Sequence, residues 1–248
     1  MSGRVLILGG TAEARALAQQ LDDAGVAIVS SLAGRVARPR LPVGEVRIGG
    51  FGGPEALTRW LAQERIAAVV DATHPFAERI SASATRATSA TGVPLLRLER
   101  PGWEAGKGDR WRWVDDLPAA AAALNELGAE RVLLTTGRQG LAAFAGDAGR
   151  WFLIRCVDPP QVAPPPRHEL LLDRGPYTLE DERALIDAHR IDVVVTKDSG
   201  GPLTEAKLAA ARERDLPVVV VRRPPRTNVA PGRTVAEAAA WAQRQASG

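Results

Sequence analysis

Two adjacent glycines, Gly9 and Gly10, end an apolar run near the start of the chain and stand directly before an amphipathic segment. The run at 5–8 is short and aliphatic, which is typical of a parallel strand buried on both faces. Thr11 can cap the helix that follows. Glycines at such a turn let a phosphate approach the backbone, where the first N–H groups of the helix point at the anion. We therefore expect Gly9, Gly10, Thr11 and Ala12 to bind a pyrophosphate. The stretch GGTAEA lacks the third glycine of G-x-G-x-x-G, so a plain tight turn is the alternative.

The second predicted strand ends in VSSLAGRVARPR, and its residue types indicate which dinucleotide the turn would bind. Domains that prefer NAD usually place an acidic residue here for the ribose 2′-hydroxyl. This stretch has no acid. Ser30 and Ser31 offer hydroxyls, and Arg35 and Arg38 offer the positive charge that a 2′-phosphate requires. The pattern favours NADPH as the cofactor, with a solvated basic loop as the alternative.

The stretch DATHPFA follows the fourth predicted strand. Residues just beyond the carboxyl end of a strand in an α/β sheet lie where ligands bind, so Thr73 and His74 are predicted to contact the cofactor. The ordinary pKa of histidine also suits proton transfer, which makes His74 the candidate catalytic residue. An isolated histidine more often packs or donates a hydrogen bond, so we expect ligand contact before catalysis.

Two polar clusters follow predicted strands in the second half of the chain, in LTTGRQG and TKDSGG. Each combines glycine with a cationic side chain, which suits the binding of carboxylates. Helix capping is the alternative for each cluster. The predicted contacts of an anionic substrate are Thr136, Gly137, Arg138, Lys197, Asp198, Ser199 and Gly200.

Composition narrows the classes of partner. The chain has 248 residues, of which 45% are hydrophobic and 25% charged, as in ordinary globular proteins. The net charge of +3 and pI near 9.6 favour an anionic partner. Aromatic residues make up only 4% and do not alternate with a basic run, so a small polyanion is favoured over nucleic acid.

Other function classes are disfavoured by what the sequence lacks. No apolar run approaches the roughly 20 residues that span a bilayer, and no leader precedes the first strand, so we expect a cytoplasmic protein without a membrane partner. The single cysteine, Cys156, lies in the apolar run WFLIRCV and is interpreted as a core residue. The three histidines and this cysteine show no metal-ligand spacing, so no metal is expected.

Strands alternate with helices along the whole chain, and the second half restarts the pattern of the first. The fold class is therefore predicted as α/β, with two Rossmann-like doubly wound parallel-sheet domains and a cleft between them. The expected boundaries are an NADPH-binding domain at 1–100, a linker at 101–116 and a substrate-binding domain at 117–248. The segment PGWEAGKGD, rich in glycine and charge, is interpreted as part of that linker.

The four stretches GGTAEAR, DATHPFA, TTGRQGL and TKDSGG followed by a lysine, in this order, resemble the precorrin-6A reductases (CobK/CbiJ type) of cobalamin biosynthesis. The resemblance spans nearly the whole chain. It implies that NADPH transfers a hydride to precorrin-6A and that precorrin-6B leaves. That tetrapyrrole carries many acetate and propionate carboxylates, which Arg138 and Lys197 would meet. The proton source, and the choice between the metal-free and cobalt-bearing substrates, stay open.

Other functions fit parts of the same sequence. A short-chain reductase would need a Tyr-x-x-x-Lys pair, but Tyr177 has Asp181 four residues later. A non-catalytic NADPH-binding sensor and an NADPH reductase of another anionic small molecule stay open. From the residues alone, the sequence indicates an NADP-dependent enzyme for an anionic small molecule.

Overall fold

A computed structural model describes residues 3–34, 38–225, 230–232 and 234–248. The chain forms two compact units, one made of Met1–Pro101 with Pro225–Gly248 and the other of Gly102–Pro224. The strands and α-helices, in chain order, are β1 (Arg4–Leu8), α1 (Ala12–Asp23), β2 (Ile28–Leu32), β3 (Glu45–Ile48), α2 (Pro54–Gln63), β4 (Ile66–Asp71), α3 (Glu78–Thr91), β5 (Leu95–Leu98), β6 (Arg110–Val114), α4 (Leu117–Glu126), β7 (Arg131–Leu134), β8 (Trp151–Cys156), β9 (His168–Leu172), α5 (Leu179–Ala188), β10 (Val193–Lys197), α6 (Ala206–Glu213), β11 (Pro217–Val221), β12 (Ala230–Gly232) and α7 (Val235–Ser247).

The first unit is built on a sheet with the strand order β12-β5-β4-β1-β2-β3, in which every neighbouring pair is parallel. Numbered within the unit, this is the order 3-2-1-4-5-6 of a dinucleotide-binding fold. The strand order reverses between β1 and β4, whose carboxyl ends therefore flank the crevice where such sheets bind ligands. Both faces are covered by apolar residues, as the uninterrupted aliphatic strands predict.

The second unit repeats this plan with the strand order β6-β11-β10-β7-β8-β9, again all parallel. Its order reverses between β7 and β10, the strands that precede the clusters TTGRQG and DSGG. The predicted α/β class with two doubly wound parallel sheets is confirmed.

The observed units differ from the predicted domains at two places. The expected linker 101–116 contains β6, which pairs with β11 at the edge of the second sheet. The end of the expected second domain belongs instead to the first unit, where β12 pairs with β5 and the buried alanines of α7 join the core around β1 and β4. The predicted boundaries are therefore wrong at both places, because the alternating pattern that identifies a strand does not say which sheet it joins.

Several helix ends are set by local chemistry. Thr11 caps α1 by accepting a hydrogen bond from the Ala14 N–H. The sequence places Gly92 after α3, and it takes the left-handed conformation that glycine adopts without strain. No helix in the described ranges is long and apolar enough to cross a membrane.

Candidate functional site

The carboxyl ends of three strands in the first unit are joined by hydrogen bonds at the point where the strand order reverses. The Gly9 N–H, after β1, donates to Ser31 O of β2 at 3.0 Å. The Thr11 hydroxyl donates to Ala72 O, just after β4, at 2.7 Å. The predicted pyrophosphate turn thus lies beside the DATHPFA stretch. Because the Thr11 Oγ1 also accepts from Ala14 N, this hydroxyl fixes the turn, and the amides at the start of α1 are the groups left to meet an anion.

The two glycines of the turn differ in conformation and surroundings. Gly10 has a φ of +113°, which side chains rarely adopt, and a Cβ there would meet nothing within 4 Å. Gly9 does not take a positive φ, and its Cβ would point inward, 3.4 Å from Leu32 Cδ2 and 3.5 Å from Ala14 Cβ. Gly10 is therefore the residue that leaves both backbone and open space for a ligand at the N-terminus of α1. This arrangement fits a pyrophosphate.

A small pocket lies at this edge of the first sheet. Glu13 and Arg100 in its wall form an ion pair with an N–O distance of 2.7 Å. Sequence reasoning missed both, although Arg100 follows β5, whose carboxyl end lies at the same edge as that of β4. The lining residues are Thr11, Glu13, Ala72, Thr73, Pro75, Leu98, Glu99 and Arg100.

The residues expected to bind a 2′-phosphate differ in burial and in their position relative to β2. The strand β2 continues to Leu32, so Ser30 and Ser31 lie within it rather than beyond its end. Ser30 is 1% exposed, and its hydroxyl has no hydrogen-bond partner among the described residues. The side chain of Ser30 is thus buried, and its contact with a ligand stays a prediction. Arg38 is exposed, and Arg35 lies outside the described residues.

A third arginine, Arg47, lies beside this region and was missed. It pairs in register with Ser31, and its guanidinium donates to Gly49 O at 2.5 Å and to Gly50 O at 2.8 Å. The guanidinium carbon lies 3.9 Å from the centroid of the Phe51 ring. The sequence signal was the arginine in EVRIGG, one strand further along the sheet than the residues considered.

The DATHPFA stretch is held by a buried carboxylate. Asp71 ends β4 with its side chain fully buried, and its Oδ2 pairs with Arg97 Nε of β5 at 3.4 Å. The Thr73 hydroxyl donates to Asp71 Oδ1 at 2.6 Å. Thr73 is thus bound to its own strand end, and the ion pair fixes the path of the chain into His74.

His74 is half-buried, and its ring has a defined hydrogen bond. The Phe76 N–H donates to His74 Nδ1 at 3.2 Å. When the imidazole is neutral, its proton therefore sits on Nε2, which can donate a hydrogen bond, whereas proton donation requires the imidazolium form with a proton on both ring nitrogens. The geometry is compatible with both functions considered for His74.

The two clusters of the second unit are brought together where its strand order reverses. The hydroxyl of Thr135 donates to Val195 O of the adjacent strand at 3.1 Å. Gly137 has a φ of +74° and open space around its Cβ position, and Arg138 begins a 3₁₀ helix. Thr136 is 5% exposed, and a Cβ on Gly140 would lie 2.6 Å from its Oγ1. Thr136 is therefore packed against Gly140, and its contact with substrate stays a prediction.

The DSGG turn that follows β10 contains a buried acid and a half-buried serine, and the half-buried Lys197 ends β10 just before it. Asp198 is 6% exposed, and its Oδ1 accepts from the Trp103 N–H at 3.0 Å. Its Oδ2 pairs with Arg223 Nε at 3.1 Å. Both carboxylate oxygens are therefore engaged within the unit, and the contact of Asp198 with substrate stays a prediction. Lys197 and Ser199 are half-buried.

Cys156 follows the interpretation as a core residue. Burial raises the pKa of its thiol, and the charge of Arg138 partly opposes that rise. A buried thiol with a raised pKa is a poor nucleophile. Within the described residues, no group of three His, Cys, Asp or Glu side chains could hold a metal ion.

Comparison with known proteins decides the family. Residues 4–243 match the model of the precorrin-6x reductases CbiJ/CobK. This chain belongs to that family. It is 56% identical to the precorrin-6A reductase of Rhodococcus erythropolis over 90% of each chain, and 55% identical to that of Mycobacterium tuberculosis over 89% of each. The cobalt-precorrin-6A reductase of Salmonella typhimurium is 34% identical, over 98% of this chain and 95% of the relative. A solved structure of CobK precorrin-6A reductase superimposes with a TM-score of 0.92 at 41% identity, covering 98% of this chain and 97% of that one.

Proposed function

We propose that this protein reduces precorrin-6A to precorrin-6B with a hydride from NADPH. Family membership supports the activity, and the open left-handed turn at Gly10, at the N-terminus of α1, carries the assignment of the cofactor site. Bound NADPH supplies the hydride, and one proton completes the addition across a carbon–carbon double bond. The protein contributes mainly by positioning the cofactor and the substrate, since two reacting atoms held about 3–3.5 Å apart gain much of their rate from proximity.

The cofactor would lie along the carboxyl edge of the first sheet. The amides that begin α1 would meet its pyrophosphate, and the basic residues after β2 would neutralise the 2′-phosphate. Arg35 and Arg38 are the proposed partners of that phosphate, and Arg47 is added because it is paired in register with Ser31.

The substrate would be recognised through its carboxylates. Arg138 and Lys197 supply positive charge at the ends of adjacent strands, and Gly137, with open space at its Cβ position, allows close backbone approach. Gly200, with a φ of +64°, stays a proposed contact. The identity of 56% and 55% to precorrin-6A reductases, against 34% to a cobalt-precorrin-6A reductase, supports the metal-free substrate.

Turnover separates this function from its alternatives. Purified protein mixed with NADPH and precorrin-6A should lose the near-ultraviolet absorbance of NADPH, with a kcat/KM at least about tenfold above that for cobalt-precorrin-6A. Tight NADPH binding without turnover of either tetrapyrrole would favour the sensor. Turnover of an unrelated anionic molecule alone would favour the other reductase.

His74 is the proposed proton donor, supported by its place just beyond the carboxyl end of β4. Donation needs the imidazolium form, in which a proton on Nδ1 replaces the bond from the Phe76 N–H and the Nε2 proton is the one transferred. His74→Gln should lower kcat by roughly 10²–10⁴-fold while the Kd for NADPH stays unchanged. A similar fold-increase in the Kd for NADPH, with an unchanged kcat, would instead indicate that His74 contacts the cofactor.

A further inference from the structure

Trp103 lies in the segment PGWEAGKGD, which resembles a linker in sequence, yet the residue is buried in the core of the second unit. It is 8% exposed and packs among apolar residues of several strands and helices. Its backbone N–H donates to Asp198 Oδ1 at 3.0 Å, and its indole Nε1 donates to Gly201 O at 3.1 Å. One side chain and its own amide therefore hold both ends of the DSGG turn.

Gly102 makes the first of these contacts possible. A Cβ on Gly102 would lie 2.6 Å from Asp198 Oδ2 and 3.3 Å from its Cγ. The carboxylate thus occupies the space that any other side chain at this position would need. Gly102 thus leaves room for the Asp198 carboxylate, and the backbone of Trp103 donates a hydrogen bond to that carboxylate from a position 95 residues earlier in the chain.

The face of the Trp103 ring is held by a buried lysine. Lys207 Nζ lies 4.6 Å from the centroid of the ring and donates a hydrogen bond to Thr204 O. Lys207 is 2% exposed. Trp103 therefore contacts the turn at Asp198 and Gly201, and Lys207 contacts Thr204 just after it.

The turn needs such support because its two glycines leave the backbone free to adopt other conformations. Gly200 and Gly201 are consecutive and take φ values of +64° and +72°. Glycine loses more conformational freedom on ordering than any other residue. Lys197 and Ser199, the half-buried polar residues of this stretch, would be poorly positioned if the turn could rearrange.

We propose that Trp103 is a positioning residue, which orders the DSGG turn so that Lys197 and Ser199 are preorganised for carboxylates of the tetrapyrrole. The proposal rests on the function proposed above. Trp103 itself does not touch the substrate in this scheme, and it acts through its hydrogen bonds to Asp198 and Gly201.

Trp103→Phe tests this with little loss of core volume. It keeps an aromatic face toward Lys207 and keeps the backbone contact to Asp198, but it removes the donor to Gly201 O. Losing one hydrogen bond of about 1–1.5 kcal/mol should raise the KM and Kd for precorrin-6A about 5- to 10-fold, with kcat and the Kd for NADPH unchanged. Gly102→Ala, which displaces the Asp198 carboxylate, should raise the same two constants further.

Trp151→Phe is the matched control. Trp151 packs against the same core but is the first residue of β8. It therefore lies at the amino-terminal edge of the second sheet, whereas the DSGG turn lies at the carboxyl edge. Hydrogen exchange of the amides at 199–204 should become about tenfold faster in Trp103→Phe and stay at the wild-type rate in Trp151→Phe. Urea unfolding of both variants measures any general loss of stability.

Two outcomes would overturn the proposal. One is exchange at 199–204 that is no faster in Trp103→Phe than in Trp151→Phe. The other is faster exchange with an unchanged Kd for precorrin-6A, because order in the turn would then not matter for the tetrapyrrole. Failure of the proposed function is distinguished from both, since wild-type protein would then show no NADPH-dependent turnover whatever the exchange measurements give.

Discussion

Replacing Gly10 by alanine separates a phosphate-binding turn from a merely tight one. The left-handed φ of +113° means that a side chain there is strained, at a cost of about 1–3 kcal/mol in folding free energy. The space around the new Cβ is open in the protein, so no clash adds to this cost. If a pyrophosphate lies against this backbone, the methyl group also displaces it from the amides that begin α1.

The expected loss of cofactor affinity follows from those amides. A hydrogen bond to a charged group contributes about 1.5–3 kcal/mol, so losing one should raise the Kd for NADPH roughly 10- to 100-fold. Titration of NADPH followed by calorimetry measures that Kd, and urea unfolding measures stability in the same samples.

Gly9→Ala is the control, because Gly9 lies in the same turn without a positive φ and its Cβ would make ordinary contacts with Leu32 and Ala14. It should leave the Kd for NADPH within about threefold of wild type, an energy of less than 1 kcal/mol. A Gly10→Ala variant that loses stability but binds NADPH as tightly as Gly9→Ala would refute the phosphate site and leave a plain tight turn.

Four further predictions concern charged residues. Arg35→Ala should weaken NADPH far more than NADH, because the 2′-phosphate loses a charge partner, and equal weakening in the two titrations would show that the adenosine end is misplaced. Lys197→Ala should raise the KM for precorrin-6A with the Kd for NADPH nearly unchanged, whereas a purely structural lysine would lower stability and alter neither constant. Asp71→Asn should lower the free energy of unfolding, measured in urea, by about 3–5 kcal/mol, since it leaves Arg97 buried without its partner charge. Adding Arg97→Met should recover part of that loss, and no recovery would show that the unpaired charge is not its cause. Burial, and to a lesser extent the charge of Arg155, lower the pKa of Lys207 to about 7 against the opposing charges of Glu182 and Glu205. The unfolded chain then binds the extra proton above pH 7, so stability should rise between about pH 7 and 8.5 by up to ~1.4 kcal/mol per pH unit, and a Lys207→Met variant with the same slope would contradict this assignment.

The sequence by itself determined those parts of this protein whose chemistry is local. Apolar runs followed by helical spacing identify most strands and helices, and the helix ends at Thr11 and Gly92 depend on residues within one turn. The motifs at the carboxyl ends of β1, β4, β7 and β10 could be located for the same reason, since a strand's end is visible in its own sequence.

Only the tertiary structure decided which sheet each strand joins and which polar side chains are enclosed. The strand β6 pairs with β11 across about a hundred residues, and β12 with α7 returns to the first unit, because burial of an apolar face selects among distant partners that local patterns do not distinguish. In the same way the sequence predicts that Ser30 and Asp198 contact ligands, but only the structure shows that the Ser30 hydroxyl is buried and that Trp103 and Arg223 bind the Asp198 carboxylate. Hydrophobic periodicity encodes the exposed or buried face of an element, and non-local packing alone determines what that face meets.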